Sequence, residues 1–479
     1  MPDTEKFFID GAWVAPRSGS RLPVFDPSTE EAFTEVALGG QADTDAAVAA
    51  ARAAFDGWAA TDPAERLALV ERILAIYNDR AEDLAQAMSR EMGAPIAYSR
   101  SSQVTAGSWH IANFITAARG FRFERPLGDH APNDRILMDP VGVCALITPW
   151  NWPMNQITLK VIPALLAGCT MVLKPSEISP VSALIFAEIL EAAGVPAGVF
   201  NLVNGDGAGV GSQLSAHPDV DMVSFTGSTR AGIAISKAAA DTLKRVHLEL
   251  GGKGANIVFA DADEKAVKRG TIHCFNNTGQ SCNAPTRMLV ERAIYDDAVE
   301  IAREVAENTR VAAASEDGRH IGPVVSAAQF DKVQGLIQKG IDEGARLVAG
   351  GVGRPEGLNR GWFVRPTVFA DVTNDMTIAR EEIFGPVLSI IPFEGEAEAI
   401  RIANDTPYGL TNYVQSQDGA KRNRVARRLR SGMVEMNGTS RGAGSPFGGV
   451  KASGNGREGG VWGLEDFLEV KAVSGWAPE

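Results

Sequence analysis

Cysteine is scarce in this chain, with four residues among 479. They are Cys144, Cys169, Cys274 and Cys282, and their spacing matches neither a disulfide framework nor a metal-binding motif. So few thiols in so long a chain favour a reducing, cytoplasmic setting. We therefore predict no structural disulfides and no metal site.

Positive charge is also in deficit, because 46 Lys and Arg face 59 Asp and Glu and give a formal net charge of -13. An acidic chain is a poor partner for nucleic acid or for an anionic membrane surface. No apolar run reaches the length that spans a bilayer. Residues 1–10 lack the basic and apolar regions of a secretory signal. We expect a small-molecule partner, with no nucleic acid and no membrane.

The dinucleotide fingerprint Gly-x-Gly-x-x-Gly is missing as well, since Gly205, Gly207, Gly209 and Gly211 are spaced too regularly to match it. Tandem repeats and low-complexity segments are absent. Glycines at 205, 207 and 227 still allow the backbone to approach a phosphate at a helix start. A nucleotide site therefore stays open without the usual motif.

Alternating strands and helices are the main pattern present. Residues 42–118 are predicted to be helical, with a helix start at Thr61-Asp62-Pro63. Strands are then predicted at 141–148, 170–174, 199–203, 220–225 and 245–250. Helices are predicted between them at 154–167, 180–193, 207–216 and 229–240. This alternation predicts a parallel sheet with helices on both faces.

A second alternation runs from residue 255 to about 434, with helices near 264–277, 294–309, 326–343 and 418–430. It predicts a second α/β domain. Two pieces fit neither domain: residues 121–139 alternate like a hairpin, and residues 467–474 form a lone terminal strand. Such pieces often pair with a neighbouring subunit, because a free strand edge is unstable in water.

A thiol and a carboxylate stand out as candidate catalytic groups. Cys282 lies in the small-residue turn Gly279 to Ala284, and Glu249 ends an apolar strand just before a glycine pair. A thiol and a base presented in this way suggest covalent catalysis on a carbonyl. The alternative for Cys282 is a buried inert thiol, which stays our interpretation of Cys144, Cys169 and Cys274.

Polar turns follow the predicted strands, where a doubly wound sheet usually binds its ligand. They are Thr148 to Pro153, Lys174 to Glu177 and Phe225 to Thr229. Lys174 and Glu177 would suit ribose hydroxyls, as an ammonium donor and a carboxylate acceptor. Taken singly, each turn could simply connect a strand to a helix.

Together these segments resemble the aldehyde dehydrogenase superfamily, most closely its bacterial, non-acylating members. The resemblance spans almost the whole chain and adds Phe8 to Gly11, Glu381 to Val387, Asn404 to Leu410, Pro446 to Lys451 and Glu469 to Lys471. It implies a Rossmann-like NAD-binding domain (1–120 and 141–251), an α/β catalytic domain (252–452) and small β bridging segments (121–140 and 453–479). It also implies a homodimer or homotetramer.

The resemblance assigns catalytic roles to five residues. Cys282 would attack the aldehyde to give a thiohemiacetal and later a thioester, and Asn151 would donate its amide to the oxyanion. Glu249 would activate the hydrolytic water. Lys160 and Glu458 would form a proton relay, although a structural ion pair explains them nearly as well. Asn151 could alternatively be a turn residue, which the surrounding motif disfavours.

The cofactor implied is NAD, with NADP less favoured because the Glu177 carboxylate would accept from a 2′-hydroxyl and repel a 2′-phosphate. The predicted cofactor residues are Ile147, Thr148, Pro149, Trp150, Lys174, Ser176, Glu177, Gly207, Gly211, Phe225, Gly227, Ser228, Leu250, Gly251, Glu382 and Phe384.

The predicted substrate residues are Trp152, Gln156, Leu159, Asn276, Ser281, Arg441 and Phe447. Arg441 lies in the loop that matches the family's substrate entrance, and a guanidinium suits a carboxylate. A polar or anionic aldehyde is therefore predicted. The alternative is that Arg441 points to solvent or pairs with a neighbouring acid.

The sequence thus predicts an NAD-dependent, hydrolytic aldehyde dehydrogenase that forms a carboxylic acid. A coenzyme A-acylating relative is one rival, and the carboxylate at Glu249 argues against it. A catalytically silent structural or binding relative is the other, and the presence of Cys282, Glu249 and Asn151 argues against that.

Overall fold

A computed structural model of the chain describes residues 1–17 and 19–477. The strands, in chain order, are β1 (Phe7–Ile9), β2 (Ala12–Val14), β3 (Arg21–Asp26), β4 (Glu31–Ala37), β5 (Glu124–Pro126), β6 (Asp134–Pro140), β7 (Val143–Ile147), β8 (Thr170–Lys174), β9 (Phe200–Leu202), β10 (Met222–Thr226), β11 (Arg245–Glu249), β12 (Ala255–Val258), β13 (Arg287–Glu291), β14 (Arg346–Ala349), β15 (Thr367–Ala370), β16 (Val387–Phe393), β17 (Thr411–Gln415), β18 (Met433–Met436), β19 (Gly454–Asn455) and β20 (Leu468–Ser474).

The α-helices, also in chain order, are α1 (Gln41–Ala59), α2 (Pro63–Asp79), α3 (Ala81–Met92), α4 (Ile96–Tyr98), α5 (Val104–Gly120), α6 (Pro153–Ala167), α7 (Val181–Ala193), α8 (Ser212–Ala216), α9 (Thr229–Ala239), α10 (Ala266–Phe275), α11 (Tyr295–Glu307), α12 (Ala327–Asp342), α13 (Thr377–Arg380), α14 (Gly395–Asn404), α15 (Gly419–Arg428) and α16 (Gly460–Glu465). Among the described residues, none of these helices is both long and apolar enough to cross a membrane.

The first large sheet has the order β19-β11-β10-β7-β8-β9-β1-β2. Its five central strands, from β11 to β9, are parallel as predicted. Its edges are antiparallel, because β1 and β2 form a hairpin beside β9 and β19 pairs with β11. The short edge strands were not predicted, and they turn a parallel sheet into a mixed one.

Strands β7, β8, β9 and β10 are buried along their whole length because both faces of the sheet are covered. In β7, Cys144 and Leu146 enter one core, whereas Val143, Ala145 and Ile147 enter the core on the opposite face. This arrangement explains why the sequence shows continuous apolar runs and no period-two alternation.

The second large sheet has the order β14-β15-β16-β13-β12-β17-β18 and is parallel except for β14. Two further cores cover its faces. The predicted second α/β unit is present, with the additional helix α14 that the sequence analysis did not include. The α/β fold class is therefore confirmed.

The two segments that fitted neither α/β unit pair with each other. Strand β20 runs antiparallel to β6, from Leu468 beside Pro140 to Ser474 beside Asp134, and β5 completes a three-stranded sheet. The prediction of a lone terminal strand is thus wrong, because its partner lies in the same chain. Arg245 on β11 forms an ion pair with Glu469 on β20 at 2.7 Å and ties this small sheet to the first large one.

Candidate active site

The carboxyl ends of the parallel strands in the first sheet bring the predicted turns to one edge. Phe225, Ile147 and Lys174 lie side by side in register on β10, β7 and β8. On the other side of β10, Thr226 lies beside Glu249 of β11. This is the edge where doubly wound sheets usually bind ligands.

A cavity of about 200 Å³ opens at this edge and is lined by residues of β10 and β11, of α6 and α12, and of the connecting loops. Its lining consists of Pro149, Trp150, Asn151, Gln156, Thr226, Gly227, Ser228, Glu249, Leu250, Gly251, Cys282, Gln329, Lys332, Glu382 and Phe384. The structure therefore brings the predicted nucleophile, base and amide donor into one cavity.

Cys282 keeps exposed surface, whereas Cys144, Cys169 and Cys274 are buried. The turn before it, Asn276–Gly279, places two non-glycine residues at positive φ, which is a strained backbone that needs support. Burial, followed by the nearby Glu382 and Glu249 carboxylates, raises the pKa of the Cys282 thiol. The resting thiol therefore keeps its proton and needs a base to become a nucleophile.

Asn151 is fixed beside the thiol turn by hydrogen bonds from both ends. Its side-chain Nδ2 donates to the Gln280 carbonyl at 3.0 Å. Its own carbonyl accepts from Gln103 Nε2 at 3.2 Å and from Asn277 Nδ2 at 3.0 Å. A primary amide has two N–H donors, so the second remains for a ligand in the cavity.

Glu249 is only 2% exposed, and neither of its carboxylate oxygens accepts a hydrogen bond from another described residue. Burial raises the pKa of Glu249 to about 8, although His247 and Lys160 pull it in the opposite direction. His247 Nε2 lies 3.5 Å from Glu249 Oε1. A buried carboxylate with a pKa near neutrality suits a general base.

Lys160 and Glu458 form a buried ion pair next to this carboxylate. Lys160 Nζ lies 2.7 Å from Glu458 Oε1 and also donates to Ser224 Oγ at 3.0 Å. Both side chains are at most 3% exposed. The pair is close enough to Glu249 to influence its pKa, and it is equally compatible with a structural role.

The other end of the cavity has the features that a nucleotide requires. Glu382 Oε1 accepts from the Gly252 N–H at 2.9 Å. A Cβ at Gly251 would lie 2.6 Å from Glu382 Oε2, so only glycine admits the carboxylate here. The Trp150 and Phe384 rings meet edge to face at 5.4 Å. A carboxylate for ribose hydroxyls beside two aromatic edges therefore fits a nicotinamide nucleotide.

Buried hydroxyls support the same fit. Thr148 Oγ1 and Thr226 Oγ1 lie at this edge, and neither has a hydrogen-bond partner among the described residues. Phe384 has a positive φ of 59°, and Gln329 Nε2 donates to its carbonyl at 2.9 Å. Gln329 therefore holds the strained backbone that presents the Phe384 ring.

The remaining predicted cofactor residues lie along the same edge but do not line this cavity. Lys174 Nζ pairs with Glu177 Oε2 at 3.0 Å, and Ser176 Oγ accepts from the Ile178 N–H. Gly207 and Gly211 bound a wide π-helical turn before α8. The predicted helix at 207–216 was thus wrong in its first turn, because this glycine-rich stretch does not hold a regular α-helix.

The predicted substrate residues lie in three different places. Gln156 lines the cavity, Trp152 Nε1 donates to Ser281 Oγ at 2.9 Å, and Leu159 packs in the core behind them. Asn276 is exposed and instead borders two larger surface cavities on the sides of α10.

Arg441 lies in the third of these places and is already paired. Its Nε lies 3.2 Å from Glu435 Oε1, and its guanidinium stacks on the Phe447 ring at 4.7 Å from the ring centre. This arrangement matches the alternative in which the arginine pairs with a neighbouring acid.

Gln329 and Lys332 of the cavity wall, and His247 beside the base, were not predicted from the sequence. Thr226 lies in the predicted turn Phe225 to Thr229 but was not singled out there. Gln329 and Lys332 lie on α12, where polar residues look like a solvated helix face. His247 carried one usable signal: it precedes Glu249 by two residues, and a strand places such residues on the same face.

The chain was then compared with known proteins. The model of the aldehyde dehydrogenase family matches residues 13–473. A 3-succinoylsemialdehyde-pyridine dehydrogenase from Pseudomonas sp. is 51% identical over 99% of both chains. An aldehyde dehydrogenase from Bartonella henselae is 61% identical, with a TM-score of 0.98 over 99% of this chain and 100% of that one.

A mutant of aldehyde dehydrogenase C from Pseudomonas syringae, solved with NAD⁺ and octanal, is 50% identical with a TM-score of 0.98. The match covers 100% of this chain and 99% of that protein.

The fold and the cavity define a nicotinamide-dependent oxidoreductase of the α/β class. The chain belongs to the aldehyde dehydrogenase family. It is an NAD-dependent oxidoreductase that acts on aldehydes.

Proposed function

We propose that this enzyme oxidises an aldehyde to the free carboxylic acid, with Cys282 as nucleophile and Glu249 as general base. The observation that supports this assignment best is that both side chains line one cavity of about 200 Å³ with Asn151 and Glu382. The cavity thus combines a thiol, a base, an amide donor and a nucleotide-binding carboxylate.

The first half of the reaction uses the thiol. The partly exposed Cys282 thiol releases its proton to solvent, and Sγ bonds to the aldehyde carbon to give a thiohemiacetal. The free N–H of the Asn151 amide and the backbone N–H of Cys282 donate to the developing oxyanion, and such a donor stabilises the transition state by about 3 kcal/mol. NAD, when bound, supplies the acceptor for the hydride that leaves this carbon.

The second half uses the base. A thioester on Cys282 remains, and Glu249 takes a proton from water as the water oxygen bonds to the thioester carbon. The C–S bond then breaks with its electron pair going to Sγ, Glu249 returns its proton to that sulfur, and the acid leaves. Lys160 and Glu458 lie close enough to Glu249 to influence its charge, which supports their proposed part in proton transfer.

The decisive experiment combines rapid mixing with product analysis. Glu249→Gln is expected to give a burst of reduced cofactor followed by slow turnover, whereas wild type turns over steadily. The wild-type product should be the free acid with or without coenzyme A. Formation of an acyl-coenzyme A would support the acylating alternative, and thiol labelling that aldehyde plus NAD does not slow would support a silent relative.

The substrate is proposed to be a polar or anionic aldehyde with a short hydrocarbon spacer, on the ground of Arg441 and Gln156. The Arg441–Glu435 pair weakens the anionic part of this proposal, because Glu435 already partly neutralises the guanidinium. The octanal in the Pseudomonas syringae relative carries no charge. A panel of aldehydes assayed by cofactor reduction decides between neutral and anionic tails.

We also propose a cytoplasmic homo-oligomer, either a dimer or a tetramer. Four unpaired cysteines suit a reducing compartment. Leu243, Val470 and Ile233 are 91%, 66% and 52% exposed, and such apolar side chains suit a subunit interface. Light scattering gives the molar mass, and a monomer would contradict the proposal. The division into NAD-binding, catalytic and bridging parts is likewise a proposal, which limited proteolysis tests.

A further inference from the structure

Strand β11 carries a row of three ionisable side chains on one face: Arg245, His247 and Glu249. Alternate residues of a strand point to the same side. Arg245 Nη1 donates to the backbone carbonyls of Asp466 at 2.8 Å and Leu468 at 2.9 Å. The row therefore links the base to the segment that follows α16.

His247 lies between two carboxylates in this row. Its Nδ1 is in close contact with Asp466 Oδ2, and its Nε2 lies 3.5 Å from Glu249 Oε1. A Cβ at Gly456, whose φ is +82°, would lie 2.8 Å from both His247 Nδ1 and Asp466 Oδ2. The glycine thus lets the backbone pass close to the His247–Asp466 contact, where a larger side chain would collide with it.

We propose that His247, held from behind by Asp466, is a positioning residue that stabilises the ionised form of the Glu249 carboxylate and keeps it aimed into the cavity for thioester hydrolysis. This inference rests on the proposed role of Glu249 as the base. His247 itself acts through Glu249 and does not line the cavity.

The geometry of the His247–Glu249 contact suits this role. The two atoms are at ion-pair distance without an aligned hydrogen bond, so both Glu249 oxygens remain available to accept from water. The Asp466 side chain is 27% exposed, whereas those of His247 and Glu249 are 4% and 2% exposed. The outer carboxylate therefore touches solvent, whereas the base is buried.

Among the charged groups near Glu249, His247 is the one that is free to stabilise its ionised form. Lys160 would also stabilise an ionised Glu249, but its ammonium is already engaged by Glu458. Burial lowers the pKa of His247, yet contacts with Asp466 and Glu249 outweigh burial and raise it to about 9. The ionisable groups that face His247, Glu249 or Asp466 from other elements are Lys160, Glu458, Cys282 and Arg245.

The test isolates hydrolysis from the cofactor by using p-nitrophenyl acetate. Cys282 Sγ attacks the ester carbon and p-nitrophenolate leaves, so an acetyl thioester forms without NAD. Water then hydrolyses it. The initial burst of p-nitrophenolate measures acylation and the later steady rate measures deacylation, recorded from about pH 6 to about pH 10.

His247→Gln keeps a neutral donor and removes the positive charge. We expect the midpoint of deacylation against pH to move up by about one unit, with a rate about tenfold lower at neutral pH and an unchanged plateau at high pH. Asp466→Asn should also raise the pH midpoint of deacylation, by a smaller amount. Glu465→Gln is the matched control, because it removes the exposed neighbouring carboxylate and should leave the midpoint unchanged.

A wild-type midpoint in both His247→Gln and Asp466→Asn would overturn the proposal, as would an equal loss of rate at every pH. If thermal unfolding shows that His247→Gln does not fold, the midpoint of Asp466→Asn decides. Glu249→Gln distinguishes a failure of the proposed base from a failure of the proposed role of His247. Wild-type deacylation in that variant would refute Glu249 as the base, whereas blocked deacylation there with an unshifted His247→Gln would refute only the role of His247.

Discussion

The catalytic cavity has two sides that are held by different forces. The thiol side consists of Cys282 and the residues hydrogen-bonded around its turn, Asn151, Asn277 and Gln280, and its contacts are between neutral groups. The base side consists of Glu249, His247, Asp466, Lys160 and Glu458, and its contacts are between charged or titratable groups.

This difference predicts that the two halves of the reaction respond differently to change. Neutral hydrogen bonds position the nucleophile and do not titrate near neutral pH. Buried charges set the state of the base, and their balance depends on pH and on every partner. The first half should therefore be sensitive to geometry, and the second half to charge.

Removal of the thiol should give the largest effect. Cys282→Ala is expected to lower turnover by about four orders of magnitude or more, because no other thiol among the described residues lines the cavity. Cofactor binding, measured by calorimetry, should survive. Cys274→Ala, which removes a buried thiol away from the cavity, is the control and should stay active. Substantial aldehyde oxidation by Cys282→Ala would refute Cys282 as the nucleophile.

Removal of the base should affect mainly the second half. Glu249→Gln cannot take a proton from water, and general-base catalysis contributes about 10²- to 10⁴-fold. We expect a burst of reduced cofactor close to one equivalent and then turnover slowed by about that factor. A block before the burst would place Glu249 on the thiol side as well.

The pH dependence gives the next effect in size. Burial raises the pKa of Glu249 to about 8, so the active, ionised form becomes more abundant as pH rises. Hydrolysis should therefore increase about tenfold per pH unit below that pKa and level off above it. Steady-state rates across this range measure the effect, and a fall in rate with rising pH would contradict it.

A substitution at Glu177 should change the preference between NAD and NADP without affecting the thiol side or the base side of the cavity. Wild type is expected to prefer NAD, and Glu177→Gln should raise the efficiency with NADP by about three- to tenfold, because one repulsive charge is removed beside Lys174. Catalytic efficiencies with both cofactors measure this change. A wild-type enzyme that uses NADP equally well would refute the prediction.

Arg441→Ala should give the smallest effect. Since Glu435 already pairs with this guanidinium, we expect at most about a threefold selective loss for an ω-oxo acid against the neutral aldehyde of equal length. A much larger selective loss would mean that the carboxylate of the substrate displaces Glu435, and that the anionic proposal holds.

Much of the fold could be predicted because strands that are buried on both faces appear in the sequence as mainly apolar runs. The prediction for β8 matches the structure residue for residue, and that for β11 differs by one position. Strands β2, β3 and β4 were missed because they are partly exposed and lack such runs. Strand β1 is buried, but its three residues are too short a run to stand out. The pairing of β20 with β6 joins residues more than 300 positions apart, which no local pattern encodes.

The candidate site follows the same rule. Cys282, Glu249 and Asn151 lie in motifs that differ from ordinary turns, so the sequence points to them. His247 reads as one more buried residue on an apolar strand, and its significance depends on Asp466, 219 positions later in the chain. Side chains whose role depends on a distant partner cannot be recognised before the partner is placed.

The late position of these partners has a consequence for synthesis of the protein. Lys160 meets Glu458 across 298 positions, β19 completes the first sheet from residues 454–455, and β20 supplies the partner of β6. Such long-range contacts form slowly, and they form only after residues 454–474 have left the ribosome. A nascent chain stalled before residue 454 would contain both Cys282 and Glu249 yet lack the partners that set the charge of the base. The enzyme should thus become active only after these segments have been synthesised and have docked.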